Sequence, residues 1–219
     1  MKFKQIAVEG PIGVGKTSLV DLLAEHFDAR KVLEQAENPF LEDFYRDRPG
    51  SAFQAQLFFL LNRYQQQREL SQGSLFNQVT LSDYIFAKDK IFAYLNLDDS
   101  ELMIYEKLYA LLEANIPHPD LVIYLQGSDK VLLERIRRRR RDYEMAISER
   151  YIAELNRAYN YFFFHYSATP LLVIDTTDID FVERLDDLKE LVTQIEQMEK
   201  GVQYYIPLGA GDGPRRKNP

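Results

Sequence analysis

The chain has no cysteine, no tryptophan and only three histidines among its 219 residues. Without cysteine there is no disulfide staple and no thiolate metal site. His26, His118 and His165 are scattered and share no ligand spacing, which argues against a histidine-built metal centre. No apolar run approaches the ~20 residues of a membrane span. Met1-Lys2-Phe3-Lys4 enters an apolar run almost at once, which leaves no room for a secretory leader. A basic surplus is lacking too: the formal net charge is −7, whereas a general binder of nucleic-acid polymers is more often basic. These absences together point to a cytoplasmic, soluble protein whose partners are neither membranes nor nucleic-acid polymers.

What is present is enough for a sizeable core. Hydrophobic residues make up 46% of the chain, and its length suits one α/β domain. The most informative stretch is Gly10-Pro11-Ile12-Gly13-Val14-Gly15-Lys16-Thr17, which matches the phosphate-loop pattern G-x-x-x-x-G-K-[ST] without a gap. Phe3 to Val8 before it reads as a buried strand, and Thr17-Ser18-Leu19 to Ala24 after it reads as an amphipathic helix. That strand–loop–helix order is the context the motif requires. The glycines let backbone N–H groups wrap phosphate oxygens, and the helix start adds its positive dipole end. Lys16 can reach the β- and γ-phosphates, and the Thr17 hydroxyl can bind Mg²⁺.

Short apolar strands then alternate with helical segments. Lys31-Val32-Leu33 reads as a second strand ending at Glu34, and Asn38-Pro39 as a turn. A short helix is expected from Phe40 to Tyr45, with Ser51 as the cap of a long helix over 52–70. Val79-Thr80-Leu81 is a third strand ending at Ser82-Asp83, and two helices follow over about 85–95 and 100–114. Leu121 to Leu125 is a fourth strand, apolar throughout, as in a parallel sheet covered on both faces. A helix from Ser128 runs into the arginines, another spans about 146–164, Leu171 to Ile174 is a fifth strand, and Phe181 to Met198 is the last helix. The pattern predicts a doubly wound parallel sheet with its functional loops along one edge. The segment 209–219 has no apolar residue able to anchor it and is expected to be a disordered tail.

Several residues gather at the strand ends. Glu34 is placed to take a proton from an acceptor hydroxyl, and Asp83 follows an apolar strand as a metal-binding carboxylate does. Arg135 and Arg137 to Arg141 form a dense basic cluster. It reads as a solvated helix face, as a polyanion patch, or as a lid whose guanidiniums close over a triphosphate; the phosphate loop favours the lid. Gln54, Gln56, Asn62, Arg63 and Gln65 to Gln67 line the long helix. An inward amide there could pair with a nucleobase edge, though spacing alone makes most of these surface polars. Tyr45, Phe58, Phe59 and Phe92 could stack on a base or simply fill the core.

With these residues in hand, the chain resembles the deoxyribonucleoside kinase family, in particular its bacterial deoxyguanosine/deoxyadenosine kinase branch, over about residues 3–200. The resemblance is carried by Glu9 to Thr17, Asn38-Pro39-Phe40-Leu41 with Phe44-Tyr45, Gln56 to Tyr64, Asp83-Tyr84 with Lys88 to Ala93, Arg135 to Arg141 with Glu144, and Ile174-Asp175 with Asp180-Phe181. It implies an α/β fold of the P-loop kinase type: a three-layer sandwich on a five-stranded parallel sheet in the order 2-3-1-4-5, with an arginine-rich lid over about 137–146. The domain would run over 1–208, and a homodimer built through helices is the implied assembly. The implied reaction is transfer of the γ-phosphoryl group of ATP, with Mg²⁺, to the 5′-hydroxyl of a deoxyribonucleoside, a purine one in this branch. Glu34 resembles the general base and Gln56 the base-reading amide. Tyr45 and Glu144 resemble the pair on the sugar 3′-hydroxyl, and Phe92 resembles a stacking aromatic. Lys88 belongs with the acceptor residues, and Arg135, Arg139 and Arg141 resemble lid arginines. Residues around Thr176, Asp178 and Asp180 resemble the loop that holds the adenine of ATP, with the phosphates on residues 10–18.

Three departures stand out. Many members carry Asp/Glu-Arg-Ser after strand three, where this chain has Ser82-Asp83-Tyr84. The arginine that would touch the base carboxylate is missing, and Asp83 serves metal and acceptor one position displaced, or the local register shifts. The lid has Arg140 where glycine is usual. The interval from Glu34 to Asn38 is one residue short, which leaves Glu37 as an alternative base. Two other functions compete. A nucleoside monophosphate kinase, thymidylate-like, would need extra cations such as Arg46, Arg48 or Arg63. A nucleotide-binding member without full catalysis is the other; a guanine-reading Asn-Lys-x-Asp does not occur, and Asp47-Arg48-Pro49-Gly50 follows a helical segment.

Overall fold

Alternation of side chains along the strands builds the molecule outward from β1 (Gln5–Glu9) and β4 (Leu121–Gln126). In β4, Leu121, Ile123 and Leu125 face one side while Val122 and Tyr124 face the other, and all five are buried. Strand β5 (Leu171–Asp175) divides the same way, with Leu172 and Ile174 on the first side and Leu171 and Val173 on the second. A strand buried on both faces has to be a run of apolar residues, which explains the composition of these segments. The computed structural model describes residues 2–35, 37–73, 79–139 and 147–207.

The first face packs against α1 (Lys16–Phe27), α6 (Asp129–Arg139) and α8 (Leu185–Gln197) through Leu19, Leu23, Leu132, Ile136, Leu191 and Ile195. The second packs against α4 (Lys88–Asn96) and α7 (Glu149–Phe164) through Ile91, Leu155, Tyr159 and Phe163. A third cluster joins α3 (Ser51–Gly73), α4 and α5 (Asp99–Glu113) around Leu60, Phe86, Tyr105 and Tyr109. The remaining elements are β2 (Arg30–Val32), α2 (Leu41–Tyr45), β3 (Thr80–Ser82) and β6 (Val202–Tyr205). Each fully buried leucine or isoleucine in these clusters contributes roughly 1.5–3 kcal/mol relative to exposure.

The sheet is parallel throughout, in the order β2-β3-β1-β4-β5-β6. The expected 2-3-1-4-5 order is present, with a sixth strand added at the β5 edge. Val202–Tyr205 escaped the sequence reading because it is four residues long and alternately exposed, as an edge strand is. Ser51 also differs from expectation. Its hydroxyl donates to the Arg48 carbonyl at 2.6 Å instead of accepting from a helix N–H, so it closes a turn and does not cap α3. The chain leaves β1 toward β2 on one side and later reaches β4 on the other. The carboxyl ends of β1 and β3 therefore flank the switch point where ligands bind in open α/β sheets.

Candidate active site

The phosphate loop leaves β1 and wraps onto the start of α1. Its glycines are forced by close approaches. At Gly10 (φ 153°) a Cβ would stand 2.5 Å from the Leu125 carbonyl oxygen. At Gly13 (φ 85°) it would stand 2.8 Å from the Leu132 carbonyl oxygen and from Ile136, so the loop is seated directly on α6. Gly15 precedes α1 and no side chain caps the helix, which leaves first-turn N–H groups for an anion. Lys16 Nζ bends back to donate to the carbonyls of Gly10 (2.7 Å) and Pro11 (3.2 Å). Burial, then the nearby charge of Lys88, lowers its pKa to about 8. Glu9 is fully buried beneath the loop. It accepts from the N–H groups of Gly10 and Ile85 and from the Tyr159 hydroxyl, tying the loop to the segment after β3 and to α7.

A cavity of about 330 Å³ opens over this loop, and Arg138, Arg139, Asp180 and Phe181 close its far side. Arg135 also borders it, but its guanidinium is spent on the scaffold. It donates to the Val14 carbonyl (2.9 Å), the Thr176 hydroxyl (3.2 Å) and the carbonyls of Thr176 (3.1 Å) and Ile179 (3.3 Å). Thr176 is fully buried, and its hydroxyl donates to the Gln126 carbonyl, so it supports Arg135 from inside and is not turned toward a nucleotide. Asp178 is exposed and absent from the cavity lining, while Asp180 lines it and accepts from the N–H groups of Val182 and Glu183. Arg137 pairs with Glu149 on the surface. Arg141 and Glu144, and the Arg140 departure, lie outside the described residues.

On the acceptor side the strand ends converge. Asp83 accepts from the Thr17 hydroxyl at 2.7 Å through one oxygen and from the Glu34 N–H at 2.7 Å through the other. Glu34 Oε1 accepts from Arg63 Nε (2.8 Å) and Nη2, and Oε2 accepts from Lys88 Nζ (2.7 Å). Burial acts to push the Glu34 carboxyl up, but Lys88 and then Arg63 overcome it and hold the group well below the usual carboxylate range. The same pairing raises Lys88 against the pull of its own burial. Glu37, by contrast, is exposed. Gln56 donates from Nε2 to the Asp89 carbonyl at 3.0 Å, Tyr105 donates to Asp89 Oδ2 at 2.9 Å, and Arg63 Nη1 pairs with Asp89 Oδ1. Phe92 stands edge-on to Tyr159, with Lys88 Nζ 5.8 Å from its ring centre. Tyr45 is half-buried on α2 beside Phe44.

No arginine follows Asp83 after β3. A fully buried Tyr84 occupies that position, and the cations on Glu34 come from Arg63 of α3 and Lys88 at the start of α4. Arg63 was underrated in the sequence, where it stands among helix polars that spacing alone puts mostly on the surface. The available signal was its spacing: seven residues after Gln56 is two helical turns, which puts both on one face. Arg63 is committed to Glu34 and Asp89, while Arg46 and Arg48 pair with Glu42 and Asp43. None of the three stands ready for the phosphate of a monophosphate acceptor. Thr17 and Asp83 offer hard oxygen donors beside the loop, which suits Mg²⁺ held jointly with substrate phosphates. Among the described residues no group of three or more His, Cys, Asp or Glu could hold a metal unaided.

The family model described as "Deoxynucleoside kinase" matches residues 6–200. A deoxyguanosine kinase of Bacillus subtilis (strain 168) is 35% identical over 199 residues, 88% of this chain and 96% of that protein. A deoxyadenosine/deoxycytidine kinase of the same organism is 32% identical over 199 residues, 87% of this chain and 90% of that protein. The solved structure of deoxyadenosine kinase from M. mycoides with bound dATP superposes with a TM-score of 0.74 at 25% identity, covering 88% of this chain and 98% of that one.

Proposed function

The chain belongs to the deoxynucleoside kinase family, and from that premise we propose that it phosphorylates purine deoxynucleosides at the 5′-hydroxyl, with ATP and Mg²⁺. The activity itself is that of an ATP-dependent phosphotransferase acting on deoxynucleosides. The purine preference is supported by relatives named deoxyguanosine kinase and deoxyadenosine kinase. A cytoplasmic setting goes with this reading, because ATP is the donor.

The observation that carries the mechanism is Glu34, held ionised between two cations and beside Asp83, at the mouth of the phosphate loop. A 5′-hydroxyl placed against Glu34 gives up its proton to the carboxylate as the oxygen turns toward the donor phosphate. Lys16 leaves the loop carbonyls for the phosphate oxygens, and Arg139 closes from the side of α6. Thr17 and Asp83 would hold Mg²⁺ jointly with the phosphates, and the ion would supply charge neutralisation there. Gln56 and Phe92 receive the base, and Tyr45 with Glu144 receives the sugar. Arg135 acts by fixing the loop against α6.

The assembly we propose is a homodimer through the α4–α7 face. Exposed Tyr94 and Tyr161 flank an apolar cavity of about 830 Å³ there, and an exposed apolar patch of this kind is costly in a monomer. Sedimentation tests that arm, with a Tyr161→Glu variant expected to sediment as monomer. For the chemistry, Glu34→Gln should bind deoxyguanosine with little change and lose about a hundredfold or more in kcat. Retained turnover in that variant removes Glu34 from the role and returns attention to Glu37.

A further inference from the structure

The second face of the sheet carries a cavity that phosphoryl transfer does not use. It opens at the carboxyl ends of β4, β5 and β6, has a volume of about 600 Å³, and shares no lining residue with the cavity over the phosphate loop. Side-chain alternation builds its floor. Gln126 follows Tyr124, and Asp175 follows Val173, on the face that α7 covers. Tyr204 of β6 is in register with Val173, so it joins the same face. Tyr204 and Phe164 of α7 both line the cavity and both are exposed.

The polar groups of this cavity are unevenly matched. Asn156 of α7 is only 7% exposed, and its Nδ2 uses both protons, on the Gly127 carbonyl (3.1 Å) and on Asp129 Oδ1 (2.6 Å). Two acceptors there fix which end of the amide is nitrogen. The other end, Oδ1, is buried and has no partner among the described residues. A buried amide oxygen without a donor is costly, and the cavity that Asn156 lines is the route by which a donor reaches it. Asp175 Oδ1 accepts from the Thr177 N–H (2.8 Å), while its second oxygen and that of Asp129 have no partner among the described residues. The lining holds no lysine, arginine or histidine to answer these two carboxylates. The start of α6 would by itself favour an anion. Its positive end is already met by Asp129 in the first turn and by Ser128 Oγ, which accepts from the Val131 N–H at 3.4 Å.

We propose that this cavity binds a guanidinium or ammonium group. Such a group brings donors and no acceptor, which matches a lining whose unmatched groups are two carboxylates and an amide oxygen. A cation seated there would bridge Asp129 at the start of α6 and Asp175 at the end of β5, and Phe164 and Tyr204 supply aromatic surface on which it can rest. Two sources carry this chemistry. One is a free amine or guanidine of small size; the other is Arg215, Arg216 and Lys217, which follow β6 in the sequence.

The test is calorimetric titration of the full chain with agmatine, which carries both cationic groups. Binding is read without turnover, so the outcome stands apart from the kinase activity. The wild type should bind with a Kd of about 1 mM or tighter, and saturating deoxyguanosine should leave that value unchanged. Asp175→Asn keeps the oxygen that meets the Thr177 N–H and deletes the charge; it should weaken binding by about tenfold or more. Phe164→Ala, at an exposed position, should weaken it by about threefold and decides the matter if Asp175→Asn does not fold. The triple variant Arg215→Ala/Arg216→Ala/Lys217→Ala identifies the source. Binding equal to wild type assigns the site to a free ligand. Binding about threefold or more tighter than wild type, or present where wild type shows none, assigns it to the chain's own side chains, which then compete with the probe. Absence of binding in both proteins overturns the proposal. So does displacement of agmatine by deoxyguanosine, or an Asp175→Asn variant that binds as tightly as its parent.

Discussion

Replacing Lys88 with methionine keeps the apolar stem and deletes one of two cations on Glu34, so it measures how the acceptor site balances its charge. Lys88 is 4% exposed, and its ammonium lies 2.7 Å from Glu34 Oε2. At that distance, with an effective dielectric near 20, the attraction is about 6 kcal/mol before desolvation. Withdrawing both ions from water takes back several kcal/mol each, so the pair as a whole is close to neutral for stability. Breaking it is another matter. Glu34 would be left with Arg63 alone, which is shared with Asp89, so two carboxylates would depend on one guanidinium. We expect a loss of about 3 kcal/mol at neutral pH, or roughly 6–12 °C in Tm for a chain of this length. Adding Glu34→Gln to Lys88→Met removes the surplus negative charge and should recover part of the loss, with a coupling of about 2 kcal/mol between the two positions. Thermal and urea melts of the four proteins without ligand provide the measurement. The pH dependence has a definite sign. Glu34 is held below its unfolded-state pKa, so its contribution is complete above the ordinary carboxylate range of about 4 and fades as pH falls through the folded value. The gap between wild type and Lys88→Met should therefore narrow in acid. A coupling within about 0.5 kcal/mol of zero, or a variant as stable as wild type, would refute the charge-balance argument.

Three further outcomes test the donor side. Gly13→Ala places a Cβ 2.8 Å from the Leu132 carbonyl oxygen at φ 85°, where neither partner can rotate away; ATP affinity should fall by about tenfold or more by calorimetry, and an unchanged Kd for ATP contradicts the fit. Lys16 in the ligand-free protein has its pKa lowered to about 8, so ATP affinity should weaken by up to about tenfold per pH unit above that value; a flat titration from neutral to alkaline pH would remove Lys16 as the responsible group. Arg135→Met orphans carbonyls at Val14, Thr176 and Ile179 and should lower stability by about 2 kcal/mol or more, whereas Arg139→Met should raise KM for ATP with a much smaller change in Tm; equal effects at the two positions would contradict the division between scaffold and phosphate contact.

The donor half of the site was legible because it is local. Strand, loop and helix over residues 5–27 follow one another, and the spacing of Gly10, Gly15, Lys16 and Thr17 specifies the backbone that cradles a phosphate. The inner strands were legible for a related reason: a strand covered on both faces must be apolar along its whole length, as Leu121 to Leu125 are. The outer strand β6 was not, because an edge strand has one solvated side and Val202, exposed on it, carries no core signal. The arginine cluster was legible as a group and misleading in detail. Within α6 successive residues point in different directions, so Arg135 turns into the scaffold, Arg137 meets Glu149, and Arg138 and Arg139 reach the cavity.

The acceptor half depends on long-range partners, and that is where composition and motif gave least. Glu34 meets Arg63 and Lys88 across 29 and 54 positions. No local pattern sets those pairs; the topology does, by bringing the end of β2, the inner face of α3 and the first turn of α4 to the same side of Asp83. Tyr84 shows the consequence. A tyrosine after β3 leaves no cation on the segment nearest Glu34, and the motif by itself left open a nucleotide-binding member without full catalysis. In the folded chain the required positive charge needs only to arrive within hydrogen-bond distance of Glu34, from whichever element faces it, and two buried cations do so. The same substitution frees the position for a fully buried aromatic ring beneath the site. Supplying the charge from α3 also ties Glu34 to Asp89, because Arg63 pairs with both carboxylates.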